Sequence, residues 1–164
     1  MTHGAPAWRP MRQDDLPLVK AMSDAIHGVL TEAQAVYAEK LALHPSGCFL
    51  FEVQGEAAGY LFAHPWLAAH PPKLDAMLDA IPVDADCLYL HDLALMPEAR
   101  GSGAGRAALT IVRADAMRIG MSEIRLIAVG GADSFWRALG FADIGAADPS
   151  YGTGACAMQL KVVA

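Results

Sequence analysis

Gly101, Gly103 and Gly105 alternate along Arg100-Gly101-Ser102-Gly103-Ala104-Gly105-Arg106, with an arginine at each end. Glycines at this spacing let a backbone turn tightly and bring its N–H groups up to a ligand with no Cβ in the way. A helix opening from such a loop leaves its first N–H groups unpaired and carries a partial positive charge there, so the segment suits an anion such as a pyrophosphate. Arg100 and Arg106 add charge at both ends. Two familiar phosphate loops do not fit. A nucleotide P-loop needs Lys and then Ser or Thr after its glycines, where this chain has Arg106-Ala107, and a dinucleotide loop needs a glycine where it has Ala108.

The elements that must position the loop follow from pattern. Leu88 to Leu95 is an apolar run suited to a buried strand, and Pro97 sets a turn. Ala108, Leu109, Val112, Ala116 and Ile119 then recur at three- and four-residue steps, the stripe of a helix that stops at Gly120. The strand carries two ionisable side chains, His91 and Asp92. Strict alternation along a strand puts them on opposite faces, so one of the two would face an acceptor.

The spacing Arg100-x-x-Gly103-x-Gly105, after a strand ending in Leu95-Met96-Pro97-Glu98, resembles the coenzyme A loop of the GNAT superfamily of N-acetyltransferases, usually Arg/Gln-x-x-Gly-x-Gly/Ala. Ala132-Asp133-Ser134-Phe135-Trp136-Arg137-Ala138-Leu139-Gly140-Phe141 resembles the family's later Ala-x-x-Phe-Tyr-x-x-x-Gly-Phe segment. The match by motif spans residues 88 to 141, and the central strand is most similar to that of serotonin (arylalkylamine) N-acetyltransferase-like members. The resemblance implies a single α/β domain over residues 1–164, built on a central mixed, mostly antiparallel sheet of about six to seven strands flanked by helices. It implies acetyl-CoA as the acyl donor. Backbone groups of Leu93, Ala94 and Leu95 would pair with its pantetheine arm and polarise the thioester. The pyrophosphate would lie on Arg100, Gly101, Ser102, Gly103, Ala104, Gly105 and Arg106, and Phe135 and Trp136 would contact the cofactor. Homodimers are common among proteins of this resemblance.

Acetyl transfer to an amine needs a base for the arriving ammonium and an acid for the leaving thiolate. His91 stands where the resembled members carry a histidine linked to proton removal, which makes it the expected base. Three positions depart from the family's pattern. Tyr89 stands in place of a second histidine two residues earlier, Val129 where Asn is frequent, and Trp136 where members that use a general acid carry Tyr. An indole N–H cannot serve as that acid. Tyr151 in the last loop is the expected replacement and Tyr89 the other candidate, although a thiol of pKa about 8.5 can also leave unaided. The missing Tyr and Asn keep a second class in view, a non-catalytic acyl-CoA-binding or sensing module. A nucleotide-binding regulator is disfavoured by the absent P-loop lysine.

The bulk of the chain agrees with a compact enzyme domain. Of 164 residues, 54% are hydrophobic and 18% charged, which leaves no room for a disordered tail. A net charge of −6 argues against non-specific binding to nucleic acid or to an anionic membrane. Cys48, Cys87 and Cys156 are odd in number and far apart, with no metal-type pair among them, so neither a disulfide framework nor a metal site is expected. Cys156 has no histidine near it in sequence and reads as inert. Met1 to Pro10 lacks a basic start followed by an apolar run, and no stretch approaches the roughly eighteen apolar residues of a membrane span. These features predict a soluble, cytoplasmic protein.

Along the chain, Trp8 to Arg12 reads as a short strand and Asp14 or Asp15 as the cap of a helix bearing Leu18, Val19, Met22 and Ile26. Thr31-Glu32-Ala33-Gln34 has the capping-box pattern of a second helix, with Val36, Tyr37 and Leu41 inward. Cys48 to Val53 and Ala57 to Ala63 form a hairpin about Gln54-Gly55-Glu56, and His64-Pro65-Trp66 breaks it. In the insertion 65–86, Pro71-Pro72 opens a short helix through Leu74, Met77, Leu78 and Ile81. This insertion is either a helix packed on the sheet or a lid over a substrate site. Strands at 123–129 and from Gly140, a helix at 132–139 and a last strand at 155–163 complete the pattern. The expected function is acetyl transfer from acetyl-CoA to the primary amine of a small molecule, by direct attack in a ternary complex.

Overall fold

The computed structural model describes residues 5–162. Seven strands, Ala7–Pro10 (β1), Cys48–Val53 (β2), Glu56–Trp66 (β3), Cys87–Leu95 (β4), Glu123–Ala128 (β5), Ala142–Ala146 (β6) and Cys156–Lys161 (β7), form one sheet in the order β1-β2-β3-β4-β5-β7-β6. Every neighbouring pair is antiparallel except β4 and β5, which run parallel. Four helices, Leu16–His27 (α1), Gln34–Leu43 (α2), Ala104–Arg118 (α3) and Asp133–Ala138 (α4), cover the two faces. This is the mixed, mostly antiparallel α/β architecture expected from the sequence.

The two faces bury different sets of side chains. On one, Leu61, Leu88, Leu90 and Ile124 pack under Ala108, Leu109, Val112 and Ala116 of α3 and under Trp136 of α4. The helical stripe of α3 is therefore the core stripe the spacing predicts, and Gly120 ends it at φ +77°. On the other face, Leu50, Tyr60, Phe62 and Ala94 meet Val19 and Met22 of α1 and Tyr37 of α2.

Two irregularities in the sheet shape the site. First, β4 and β5 pair only at Leu88↔Ile124 and Tyr89↔Arg125 and then part, while β5 stays paired with β7 along its whole length. From Leu90 to Leu95 the β5-facing edge of β4 thus has no strand partner, and its backbone groups are free to pair with something else. Second, the register with β3 slips: Phe62 opposes Asp92 and Ala63 opposes Leu90, leaving His91 as an unpaired extra residue. Leu88, Leu90 and Leu93 face α3, whereas Tyr89, His91, Asp92 and Ala94 all face the α1–α2 side. The expectation that His91 and Asp92 oppose each other is corrected by this bulge.

The segment between β3 and β4 also departs from expectation. His64-Pro65-Trp66 does not break β3, which continues to Trp66. Residues 67–86 form no helix despite their helical spacing; they run as an irregular strap. The N–H groups a helix would have used are taken by carboxylates of α2 and its approach: Asp75 N donates to Glu32 Oε2 (2.8 Å), while Leu78 N and Asp79 N donate to Glu39 (2.5 and 3.0 Å). Asp75 and Asp79 sit at φ +53° and +69°, outside any right-handed helix. The Thr31 capping box is likewise not formed. The helix α2 begins at Gln34 without a side-chain cap, Thr31 Oγ1 donates to Asp24, and Glu32 turns inward.

Candidate active site

The glycine loop ends in a left-handed residue, Gly103 at φ +84°, which starts α3, and Gly101 before it lies at φ +77°. A Cβ at either position would meet no atom within 4 Å, so both glycines are required by backbone conformation rather than by crowding. Beyond Gly103 the first N–H groups of α3 have no intrahelical partner, the condition for anion binding. Arg100 folds back, its Nε donating to the Leu95 carbonyl (3.3 Å) at the end of β4, and Arg106 is exposed on the first turn. The loop therefore adjoins the end of β4 at which Leu93, Ala94 and Leu95 present an edge with no strand partner. Phe135 on α4 lies against Gly105, with its ring partly exposed. Trp136 does not share that position. Its ring is buried between Phe135 and Phe141 (centroids 4.9 and 5.3 Å) in the core beneath α3, so its contribution is packing.

A narrow cleft of about 40 Å³ opens on the α1–α2 side, where β4 and β5 have parted. His91 and Asp92 of β4, His27 at the end of α1, Glu32, Leu74 of the strap, Tyr151, and Ile127 and Val129 at the end of β5 line it. Two histidine–carboxylate pairs meet there. His91 Nε2 lies 2.8 Å from Glu32 Oε1, and these side chains are 1% and 2% exposed. His27 Nε2 lies 3.0 Å from Asp92 Oδ1, with side chains 19% and 10% exposed. Asp92 Oδ2 also accepts from Tyr60 (2.9 Å) and, at 3.4 Å, from Tyr37.

The electrostatics follow from burial set against these partners. Burial alone would raise the Glu32 carboxyl, but the hydrogen bond and charge of His91, the charge of buried Lys40 and the Asp75 N–H outweigh it and hold it well below the usual carboxylate range. Burial pulls His27 down, the hydrogen bond and charge of Asp92 and the charge of Glu32 pull it up, and the net shift is upward. His64 on β3, its ring centroid 5.8 Å from that of His91, is held down at about 3 by burial and by His91, and remains neutral. In the His91 ring, Nε2 is committed to Glu32 while Nδ1 is buried without a hydrogen-bond partner among the described residues. A neutral His91 that donates from Nε2 to Glu32 keeps a free lone pair on Nδ1.

The sequence-predicted residues are brought together unevenly. His91 and Tyr151 share the cleft, but Tyr151 donates its hydroxyl to the Pro72 carbonyl and so clasps the strap. Burial pushes that phenol upward, away from acid strength. Tyr89 is buried, its hydroxyl without a hydrogen-bond partner among the described residues, and lies outside the cleft lining. His27 and Glu32 are the site residues that sequence reasoning missed. Glu32 was hidden by an apparent capping box, and His27 stands 65 residues from its partner Asp92 with no local pattern to mark it.

A wider groove of about 750 Å³ adjoins the cleft and shares Leu74, Ile127 and Tyr151 with it. It runs between Pro71-Pro72-Lys73 of the strap and Ala146-Ala147 near the end of β6. Among the described residues no cluster of His, Cys, Asp and Glu is arranged to hold a metal ion, and no helix is long and apolar enough to cross a membrane.

Comparison with known proteins places this geometry. No curated protein sequence matches the chain. Solved structures of the same fold include Ard1 from Thermoplasma volcanium, with 17% identity, 98% of this chain and 100% of that one covered, and a TM-score of 0.73. The loading GNATL domain of CurA from Lyngbya majuscula is 11% identical over 97% of this chain and 98% of that one, with a TM-score of 0.82. Naa50 from Arabidopsis thaliana, solved with the bisubstrate analogue CoA-Ac-MVNAL, is 16% identical over 96% and 99%, with a TM-score of 0.72. The family model described as Acetyltransferase (GNAT) family matches residues 8–141. With the parted β4–β5 pair and the glycine loop inside that matched span, the chain belongs to the acetyltransferase (GNAT) family.

Proposed function

We propose that the protein transfers the acetyl group of acetyl-CoA to the primary amine of a small molecule bearing an apolar body, by direct attack in a ternary complex. The observation that carries this reading is the His91–Glu32 pair at the point where β4 leaves β5, beside a cleft that the strap narrows. The free edge of Leu93 to Leu95 suits the amide groups of a pantetheine arm, and the start of α3 with Arg100 and Arg106 suits a pyrophosphate. Acetyl-CoA supplies an activated acyl group whose thioester carbon is open to attack by an amine.

The chain's own residues do the rest. Glu32 and Asp92 make the cleft negative, which draws in an ammonium group. His91 removes its proton at Nδ1, through a water where contact is not direct, and the Glu32 carboxylate holds the ring in orientation and stabilises the imidazolium. Backbone N–H groups of β4 aimed into the gap stabilise charge developing on the acyl oxygen. The neighbouring groove, walled by Pro71, Pro72, Leu74, Ile127 and Ala157, takes the apolar body of the acceptor, with the strap along one side. An arylalkylamine, its amine toward His91 and its ring in the groove, is the acceptor this reading favours.

The test is acetyl-CoA-dependent thiol release with aryl-alkyl amines, polyamines, amino acids and short peptides. Release for small apolar amines, reduced roughly ten- to hundredfold in His91→Ala with cofactor binding intact, is the expected result. Preference for peptides would overturn the acceptor class. Binding of acetyl-CoA with no release for any amine would favour the sensing module instead.

A further inference from the structure

We propose that His27 is the general acid of the reaction, delivering a proton to the leaving sulfur, with Asp92 as its positioning residue. The proposal rests on the acetyl-transfer reading above and assigns the step for which that reading has no residue. Each phenol and indole considered for the step is occupied or withdrawn: Trp136 packs in the core, the Tyr151 hydroxyl is given to the Pro72 carbonyl, and Tyr89 lies outside the cleft lining. His27 is in the cleft and, at 19%, its side chain is the most exposed of the four that form the two histidine–carboxylate pairs.

Three features keep this ring charged and aimed. It sits in the last turn of α1, where the helix end favours a cation. Its Nε2–H is held by Asp92 Oδ1, and Asp92 is fixed from behind by the Tyr60 hydroxyl. No hydrogen-bond partner for its Nδ1 occurs among the described residues, so an imidazolium has one proton tied to Asp92 and one free to leave. As the carbon–sulfur bond breaks, its electron pair goes to sulfur. The Nδ1 proton of His27 follows, leaving neutral thiol and neutral imidazole. The His91–Glu32 pair, with 1% and 2% exposure, keeps the other role: the first ammonium proton passes through His91 to water before attack, and the second, carried by the nitrogen once it has bonded to the acyl carbon, ends on His91.

The titratable groups facing His27 are Asp92 and His91 from β4 and Glu32 from the approach to α2, with the phenols of Tyr37, Tyr60 and Tyr151 around them. The acid form is lost as pH rises through the folded-state pKa of His27, so turnover should fall on the alkaline side through that point.

The test compares wild type, His27→Gln and Asp92→Asn. Gln keeps a donor for Asp92 but transfers no proton. The expected result is a kcat lower by about a hundredfold in His27→Gln, with the KM for acetyl-CoA unchanged, the fold retained and the alkaline fall in kcat abolished. Nuclear magnetic resonance titration of the histidine rings in the free protein should show the His27 midpoint moved to lower pH in Asp92→Asn. Thiol release unaltered in His27→Gln, or a His27 midpoint indifferent to Asp92, would overturn the assignment and leave acetyl transfer standing. Absence of thiol release from wild type with every amine would remove the acetyl-transfer reading and this assignment together.

Discussion

The ring of Phe135 rests on Gly105 so closely that a Cβ at position 105 would stand 2.5 Å from its Cζ atom. Gly105 has an ordinary helical backbone and no positive φ, unlike Gly101 and Gly103, so its requirement comes from α4 rather than from the loop's own turn. The contact fixes the spacing between the start of α3 and α4. Gly105→Ala should force the half-exposed ring aside, a cost that outweighs the roughly 0.5–1 kcal/mol helix preference of Ala over Gly by at most about 1 kcal/mol, and weaken acetyl-CoA binding. Adding Phe135→Ala should recover most of the stability. Chemical denaturation of the two single variants and the double variant measures the coupling, and strict additivity would show that the contact has no energetic weight.

Glu32→Gln tests the carboxylate separately from the ring it holds. The amide still accepts from His91 Nε2, but it brings no charge to stabilise the imidazolium. Turnover should drop roughly ten- to hundredfold, while calorimetric affinity for acetyl-CoA stays at the wild-type value. An equal loss of affinity would mean that Glu32 shapes the cofactor site instead.

Folding stability should weaken on mild acidification through His64. Its folded pKa of about 3 lies below the ordinary imidazole value of 6.5, so its contribution is complete above 6.5 and is lost as pH falls toward 3. Glu32, also depressed, adds nothing to the slope until pH approaches its ordinary value of 4.5. His27 is raised, so its contribution is full below 6.5 and fades as pH climbs past its folded value, in the opposite sense. Urea midpoints at pH 5 and pH 7 isolate the first effect: His64→Phe should gain stability at pH 5 relative to wild type more than at pH 7. A difference independent of pH would rule out His64 as the source.

Glu39 holds the strap by two backbone N–H groups and lies outside the cleft lining. Glu39→Ala should therefore speed amide exchange at Leu78 and Asp79 and raise the KM for the acceptor several-fold, with the affinity for acetyl-CoA unchanged. Unchanged exchange at those two amides would show that the strap is held elsewhere, at Tyr151 and Pro72 above all.

Sequence pattern served well wherever a segment's fate was decided locally. The α3 stripe, its stop at Gly120, the left-handed turns at Gly101 and Gly103 and the strand before them all rest on contacts within about one turn or one loop, and they stand where the residues suggested. It failed where distant groups competed for the same backbone or side chain. Residues 73–81 have helical spacing, but Glu32 and Glu39 offered their N–H groups better partners than carbonyls four residues back. Glu32 matched a capping box and was instead drawn to His91, 59 residues away. His64 looked like a chain break and is a strand residue, because Pro65 pairs with Leu88 where its missing N–H is tolerated.

The bulge in β4 makes the composition of the cleft depend on how many residues the strand has, beyond which ones. Remove His91 and the remaining run Tyr89-Leu90-Asp92-Leu93-Ala94 alternates without a slip, every side chain keeping the face it has now. A single-codon insertion in an ordinary strand would thus suffice to add a second ionisable group to a cleft that already held one, with no repacking of α3. The ionisable content of this cleft is thus set by strand length as well as by residue type, which a comparison of residue types position by position would not reveal.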